Sequence, residues 1–216
     1  MIKTIKASLS EKLLFIFLIC LGIFALSSFF LLKNKCLFVD KIDLKKIDFK
    51  NPENIAVMNV ECGNVVIELY PEVSPNGVER FKTLIEKGSY DGSAFYKVVE
   101  NTLIQAGDLE FGNKEYLDYS KIGSGKSGLG LLQSELDDEF EFTEGSVGFA
   151  RSTEFNSEDS EFFITLKEIP IYQGEYTPLG KVIYGLDILG KIKTGNKAIY
   201  VLRPDYINTF RMLNSN

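Results

Sequence analysis

The chain contains no histidine. That excludes Ser-His-Asp and Cys-His nucleophile systems and every His-ligated metal site. Tryptophan is absent as well. Cysteine is scarce: Cys20, Cys36 and Cys62 are the only three, and none forms a C-x-x-C pair. Their spacing suggests no disulfide framework, so three unpaired thiols are expected. No block of Lys/Arg interleaved with aromatics occurs in the soluble part, and the net charge is −6. Both facts argue against nucleic acid as a partner, because a binder of it needs a basic face to displace counterions. What is present is a chain of 216 residues, 45% of them apolar. That fits one ordinary domain plus extra segments, with a core that needs no disulfides.

Residues 13–32 read LLFIFLICLGIFALSSFFLL, without a charge. A helix of that length spans the roughly 30 Å hydrocarbon core of a bilayer. Ala25-Leu26-Ser27 offers a cleavage site of the signal-peptide kind, but apolar residues continue through Leu32. A lipoprotein signal would want a small residue before its Cys, and Ile19 precedes Cys20. An uncleaved single-pass anchor fits best. Lysines lie on both sides, so the positive-inside count is not decisive. A short basic start before an apolar run favours an extracytoplasmic soluble part. The expected layout is a basic tail over 1–12, an anchor over 13–32, a linker over 33–52 and a folded domain over 53–212.

From Ile55 the pattern changes. Ile55–Val60 and Val65–Leu69 are β-rich runs separated by Cys62-Gly63-Asn64. A helix over 75–87 is announced by Ser74 as cap and Pro75 in the first turn. Val78, Phe81, Leu84 and Ile85 fall on one face, and Gly88 supplies the stop. Short apolar runs follow near 94–99, 103–106, 147–150, 161–166 and 179–184, with a second short helix expected over 185–194. No internal repeat occurs. Many short strands with two helices point to a barrel or sandwich with helical caps.

Four blocks then carry a resemblance. They are Gly88-Ser89-Tyr90-Asp91-Gly92 leading to Phe95-Tyr96-Lys97-Val98-Val99; Gln105-Ala106-Gly107-Asp108; Gly148-Phe149-Ala150-Arg151-Ser152 with Asn156-Ser157 and Ser160-Glu161-Phe162-Phe163-Ile164; and Tyr176-Thr177-Pro178-Leu179-Gly180-Lys181-Val182. In order and spacing they resemble the cyclophilins over about residues 55–212. The resemblance implies a mainly β fold, a closed eight-stranded antiparallel barrel capped by two helices, here preceded by a transmembrane helix. It implies cis-trans isomerisation of X-Pro peptide bonds in proline-containing polypeptides, with no metal or cofactor.

That reaction needs neither nucleophile nor proton transfer. Partial double-bond character gives the peptide a rotational barrier of about 18–20 kcal/mol. Catalysis requires an apolar slot for the ring and a donor aimed at the prolyl nitrogen in the twisted state. In the family the donor is Arg; the matching residue here is Lys97, which keeps the charge and loses the planar fork. Gln105 is retained and, by resemblance, orients the donor and the substrate carbonyl. Phe163 would floor the slot. Phe95, Thr102, Leu103, Ala150, Arg151, Ser152, Tyr172 and Tyr176 complete the implied substrate surface. Thr102 stands where an aromatic is usual, Leu103 where Met is, and Ile171 or Tyr172 where an aromatic often contacts ligand. Glu161 replaces a Gln and is expected to pair with Lys97 or Arg151. These changes leave two alternatives to an active enzyme: a weakly catalytic proline-binding or chaperone module, and a membrane-tethered scaffold. Gly123-Ser124-Gly125-Lys126-Ser127 hints at a phosphate loop, but the required Gly at position 120 is Ser. It reads as a flexible loop near the cleft.

Overall fold

A computed structural model describes residues 8–40, 42–195 and 200–213 of the chain. It forms two compact units, one ending at Phe38 and one beginning at Val39.

The first unit is built on α1, Leu9–Lys33. Ser8 caps it: its Oγ accepts the Glu11 N–H at 3.3 Å while Glu11 Oε2 accepts the Ser8 N–H at 2.7 Å. This reciprocal pair starts the helix four residues before the apolar run. Its apolar side chains, Phe15, Ile19 and Phe24 among them, are exposed on every side. Among the described residues it is the one helix long and apolar enough to cross a membrane.

The second unit begins within the expected linker. The Asp40 N–H donates to Asp187 Oδ2 at 2.8 Å, so part of that segment is folded against the domain. The thiol expectation is corrected: Cys36 and Cys62 are disulfide-bonded, and Cys20 alone is free. Spacing along a chain does not report a cysteine's bonding state.

The strands are β1 (Ile55–Val60), β2 (Gly63–Leu69), β3 (Lys97–Val99), β4 (Leu103–Ala106), β5 (Gly112–Asn113), β6 (Tyr116–Leu117), β7 (Ser146–Phe149), β8 (Phe162–Thr165), β9 (Pro178–Tyr184) and β10 (Thr209–Met212). Eight of them make one antiparallel sheet in the order β10-β1-β2-β9-β7-β8-β4-β3; β5 and β6 form a separate hairpin. The expected barrel is therefore not fully closed, because the edge strands β10 and β3 do not share a ladder. The seam is carried by the segments that lead into them. Ala94 bridges Tyr206, the Phe95 N–H donates to the Asp205 carbonyl at 3.0 Å, and the Ile207 N–H to the Ser93 carbonyl at 2.9 Å.

Helix α2 (Pro75–Glu86) packs its apolar stripe onto the sheet. Phe81 meets Tyr90, Phe149, Phe162 and Phe210 at ring separations of 5.1–6.0 Å, all within the range of attractive edge contacts. Its N-terminus is not capped as expected. The Ser74 hydroxyl donates to the Pro178 carbonyl, and Glu135 takes its place. Glu135 Oε2 accepts the Gly77 N–H at 2.7 Å and Oε1 the Asn76 N–H at 3.1 Å, a carboxylate on the positive end of the helix. The second cap is also shorter than the expected 185–194: α3 covers Leu186–Leu189, followed by single turns.

Candidate active site

The site grows from one cross-strand row. Lys97 on β3 is opposite Gln105 on β4, Gln105 is opposite Phe163 on β8, and Phe163 is opposite Gly148 on β7. Directly opposed residues in antiparallel strands share a face. A cation, a carboxamide and an aromatic ring are thereby lined up on one side of the sheet. The next row, Ala106, Phe162 and Phe149, points the other way, into the packing beneath α2.

Phe163 is 2% exposed and sits in a second aromatic group. Its ring lies 5.3 Å from Tyr172, 5.2 Å from Tyr176 and 5.6 Å from Phe142. Gly148 makes the space: a Cβ there would come within 2.7 Å of the Phe163 ring and 2.9 Å of Phe142. Leu103 is buried two residues from Gln105 and so on the same face. Thr102 is half-buried in the β3–β4 turn, its hydroxyl donating to the Glu100 carbonyl. Phe95 is fully buried. Ile171 is 78% exposed, so Tyr172 is the aromatic at that corner.

Beside the aromatic group lies a polar cavity of about 250 Å³. Gln105, Ala150, Arg151, Ser152 and Glu161 line it, together with Gly123-Ser124-Gly125-Lys126. Arg151 joins the two halves. Its guanidinium stacks 4.9 Å from the Tyr176 ring and 4.2 Å from Phe155, and it pairs with Glu175 at 3.2 Å.

The glycine loop is near the cleft as expected, but it is held, not loose. Asp108, buried at the end of the Gln105-Ala106-Gly107-Asp108 run, accepts the Gly123 N–H at 2.6 Å and the Gly125 N–H at 3.1 Å through Oδ2. Asp159 holds Ser127 by its N–H and hydroxyl, and is itself paired with Arg80 of α2 at 3.0 Å. Internal carboxylates already occupy the N–H groups that a phosphate would need. Gly107 takes φ +96°, and a Cβ there would meet the Ser160 carbonyl at 2.6 Å, so glycine is required where the chain leaving β4 passes Ser160.

Glu161 pairs with neither Lys97 nor Arg151. The Tyr96 hydroxyl donates to its Oε2, and Gln105 Nε2 donates to the same oxygen at 2.9 Å and to the Tyr96 oxygen at 2.5 Å. Burial raises the Glu161 carboxyl above its ordinary value; these two hydrogen bonds oppose that, Asp108 adds to it and Lys126 opposes it. Burial and the neighbouring Glu161 raise the Tyr96 phenol. Tyr96 and Phe142 are the residues the sequence reading passed over. Tyr96 stood inside a quoted motif, where only its position beside Lys97 marked it.

A family model described as cyclophilin type peptidyl-prolyl cis-trans isomerase/CLD matches residues 55–211. The chain belongs to the cyclophilin-type peptidyl-prolyl isomerase family. A probable peptidyl-prolyl cis-trans isomerase of Brucella suis is 39% identical over 149 residues, covering 68% of this chain and 76% of that protein. The peptidyl-prolyl cis-trans isomerase ppi1 of Schizosaccharomyces pombe is 31% identical over 144 residues, 63% of this chain and 85% of the other. Among solved structures, a Cryptosporidium parvum cyclophilin-type isomerase crystallised with the dipeptide Ala-Pro superposes with a TM-score of 0.64 at 25% identity, over 75% of this chain and 99% of that one. The cyclophilin AquaCyp293 of Hirschia baltica has the same TM-score at 20% identity and supports the fold.

Proposed function

We propose that this cyclophilin isomerises X-Pro bonds of folding or flexible polypeptides beside a membrane. The observation that carries this is the row Lys97–Gln105–Phe163 on one face of the sheet. The proline ring enters against Phe163, with Tyr172, Tyr176 and Leu103 around it. Arg151, Ser152 and Ala150 meet the residues that flank it. Lys97 supplies the donor to the prolyl nitrogen as resonance is lost. An ammonium on a four-carbon stem is a less oriented donor than a guanidinium fork, so turnover is slower than the fold allows. That substitution also favours the second reading, a proline-binding module with weak catalysis.

Residues 13–32 tether the domain as an uncleaved single-pass anchor, with the barrel on the extracytoplasmic side. The disulfide-bonded state of Cys36 and Cys62 supports that side, since such bonds persist in oxidising compartments. Protease added outside intact cells should digest the barrel; a fully protected barrel would reverse the orientation.

Turnover of a proline peptide by the full-length protein in detergent is the decisive measurement. Lys97→Ala should lower kcat/KM by roughly tenfold and Lys97→Arg should raise it by about as much, each step near 1.4 kcal/mol. Acceleration indifferent to both variants would assign catalysis to the slot alone. Binding of the peptide without acceleration would select the binding module.

A further inference from the structure

The Gln105 side chain has one orientation that its neighbours permit. A carboxylate oxygen only accepts, so the Gln105 group 2.9 Å from Glu161 Oε2 is the NH2. The Tyr96 proton is already given to Glu161, so the Tyr96 oxygen accepts from Gln105 Nε2 at 2.5 Å. Both acceptors lie on one side of Nε2, so the NH2 end of the amide faces Glu161 and Tyr96. Tyr96 cannot swing aside: it is 2% exposed and packs with Ala94 and Ile122, with Tyr200 5.9 Å away ring to ring. The Gln105 oxygen is thereby turned away from Glu161 and Tyr96. Its cross-strand neighbour is Lys97, a flexible donor with no hydrogen bond or ion pair among the described residues.

We propose that Tyr96 and Glu161 are positioning residues that lock the Gln105 amide with its oxygen free, so that Gln105 acts as the acceptor that aims the Lys97 ammonium. The inference rests on the isomerase reading above and deepens it. A buried acid and phenol restore through Gln105 some of the direction that the missing guanidinium fork would have given.

The arrangement is sensitive to acid. Protonation of Glu161 removes the charge that draws the Gln105 NH2 and lets the carboxyl donate, so the amide is no longer held to one orientation and can turn its oxygen to Glu161 and its NH2 to Lys97. Two donors now confront each other and the aim is lost. The groups facing Glu161 are Tyr96 from the segment before β3, Gln105 from β4, Asp108 just after it and Lys126 from the glycine loop. Asp108 is tied to Gly123 and Gly125, and Asp159 in the same cavity to Arg80, so Glu161 is the carboxyl free to switch.

The test is the pH profile of kcat and KM for the full-length protein, Glu161→Gln and Tyr96→Phe, with circular dichroism to establish that each is folded. In the native protein kcat should fall about tenfold on the acid side, at a pH above the ordinary carboxylate range, with KM nearly constant. Glu161→Gln should abolish that limb and sit near the acid value at neutral pH; Tyr96→Phe should lower kcat several-fold and keep the limb. A folded Glu161→Gln variant with native kcat and an unchanged profile would overturn the proposal. The NMR signals of the Gln105 side-chain NH2 give a readout that does not depend on turnover. They should shift with the Glu161 titration in the native protein and stay fixed in Glu161→Gln. An inactive protein whose amide still shifts would sink the isomerase reading and leave the lock standing; an amide that ignores pH would sink the lock.

Discussion

Phe162 and Phe163 are consecutive residues of β8 with opposite fates. Phe162 faces inward and packs with Phe81, Tyr90 and Phe210 at 5.1–6.1 Å. Phe163 faces the cleft with Phe142, Tyr172 and Tyr176. Both are nearly inaccessible in the unliganded chain. The difference lies in their surroundings. Every ring around Phe162 belongs to the close-packed interior, whereas the group around Phe163 adjoins Arg151 and the polar cavity. A strand reverses side-chain direction at each residue, so one dipeptide serves the scaffold with one ring and the site with the other.

Truncation should separate the two roles. Phe162→Ala opens a closed cavity beneath α2 and is expected to cost about 3–5 kcal/mol of stability, enough to unfold a marginal domain. Phe163→Ala opens space that water can enter from the cleft and should cost less, about 2–3 kcal/mol. Turnover should order the variants the other way. Folded Phe163→Ala should lose on the order of a hundredfold in kcat/KM, whereas Phe162→Ala, measured per folded molecule, should lose little. Urea unfolding with parallel peptide assays checks both. Equal losses of stability and equal losses of turnover would erase the distinction.

The same contrast explains what the sequence could and could not show. Helix α2 was legible because Val78, Phe81, Leu84 and Ile85 repeat at helical spacing, and all four are buried. Its stop was legible too: Gly88 takes φ +66°, and the Ser89 N–H bonds back to the Leu84 carbonyl at 2.9 Å. Its cap was not, because Glu135 lies far along the chain and only the tertiary fold brings it to Asn76 and Gly77. The site behaved alike. Lys97, Gln105 and Phe163 were named one by one from their motifs, but the row they form depends on strand register. Glu161 was assigned a cationic partner because charge is visible in a sequence. Its real partners are Tyr96 and Gln105, which burial selects. Phe95 was assigned to the substrate surface on motif position, and it is fully buried in the unliganded chain. The barrel seam, made of isolated bridges between irregular segments, carries no alternating pattern to read.

A smaller effect sharpens the contrast between site and scaffold through two carboxylates. Glu161 at the site is raised by burial. Asp91, in the turn after α2, is lowered: burial pushes it up, but the Arg211 hydrogen bonds, the Phe210 N–H and the Arg211 charge together outweigh burial. Arg211 reaches it with two nitrogens, Nη1 to Oδ1 at 2.8 Å and Nη2 to Oδ2 at 2.5 Å, and the Phe210 N–H adds a third contact at 3.0 Å. This ties the loop leading to β3 to the edge strand β10, across the open seam. A lowered carboxyl contributes stability above its unfolded pKa of about 3.9 and loses it as the pH falls through the lower folded value. Both side chains are partly exposed, so solvent screening limits the pair to about 1 kcal/mol. Asp91→Asn should therefore destabilise the protein by about 0.5–1 kcal/mol at pH 7, with kcat/KM per folded molecule unchanged. The gap from the native protein should close as the pH falls through the lowered Asp91 value. Unfolding midpoints in urea at several pH values measure it. A gap that stays constant through the acid range would mean that the hydrogen-bond geometry, and not the Asp91 charge, holds the seam.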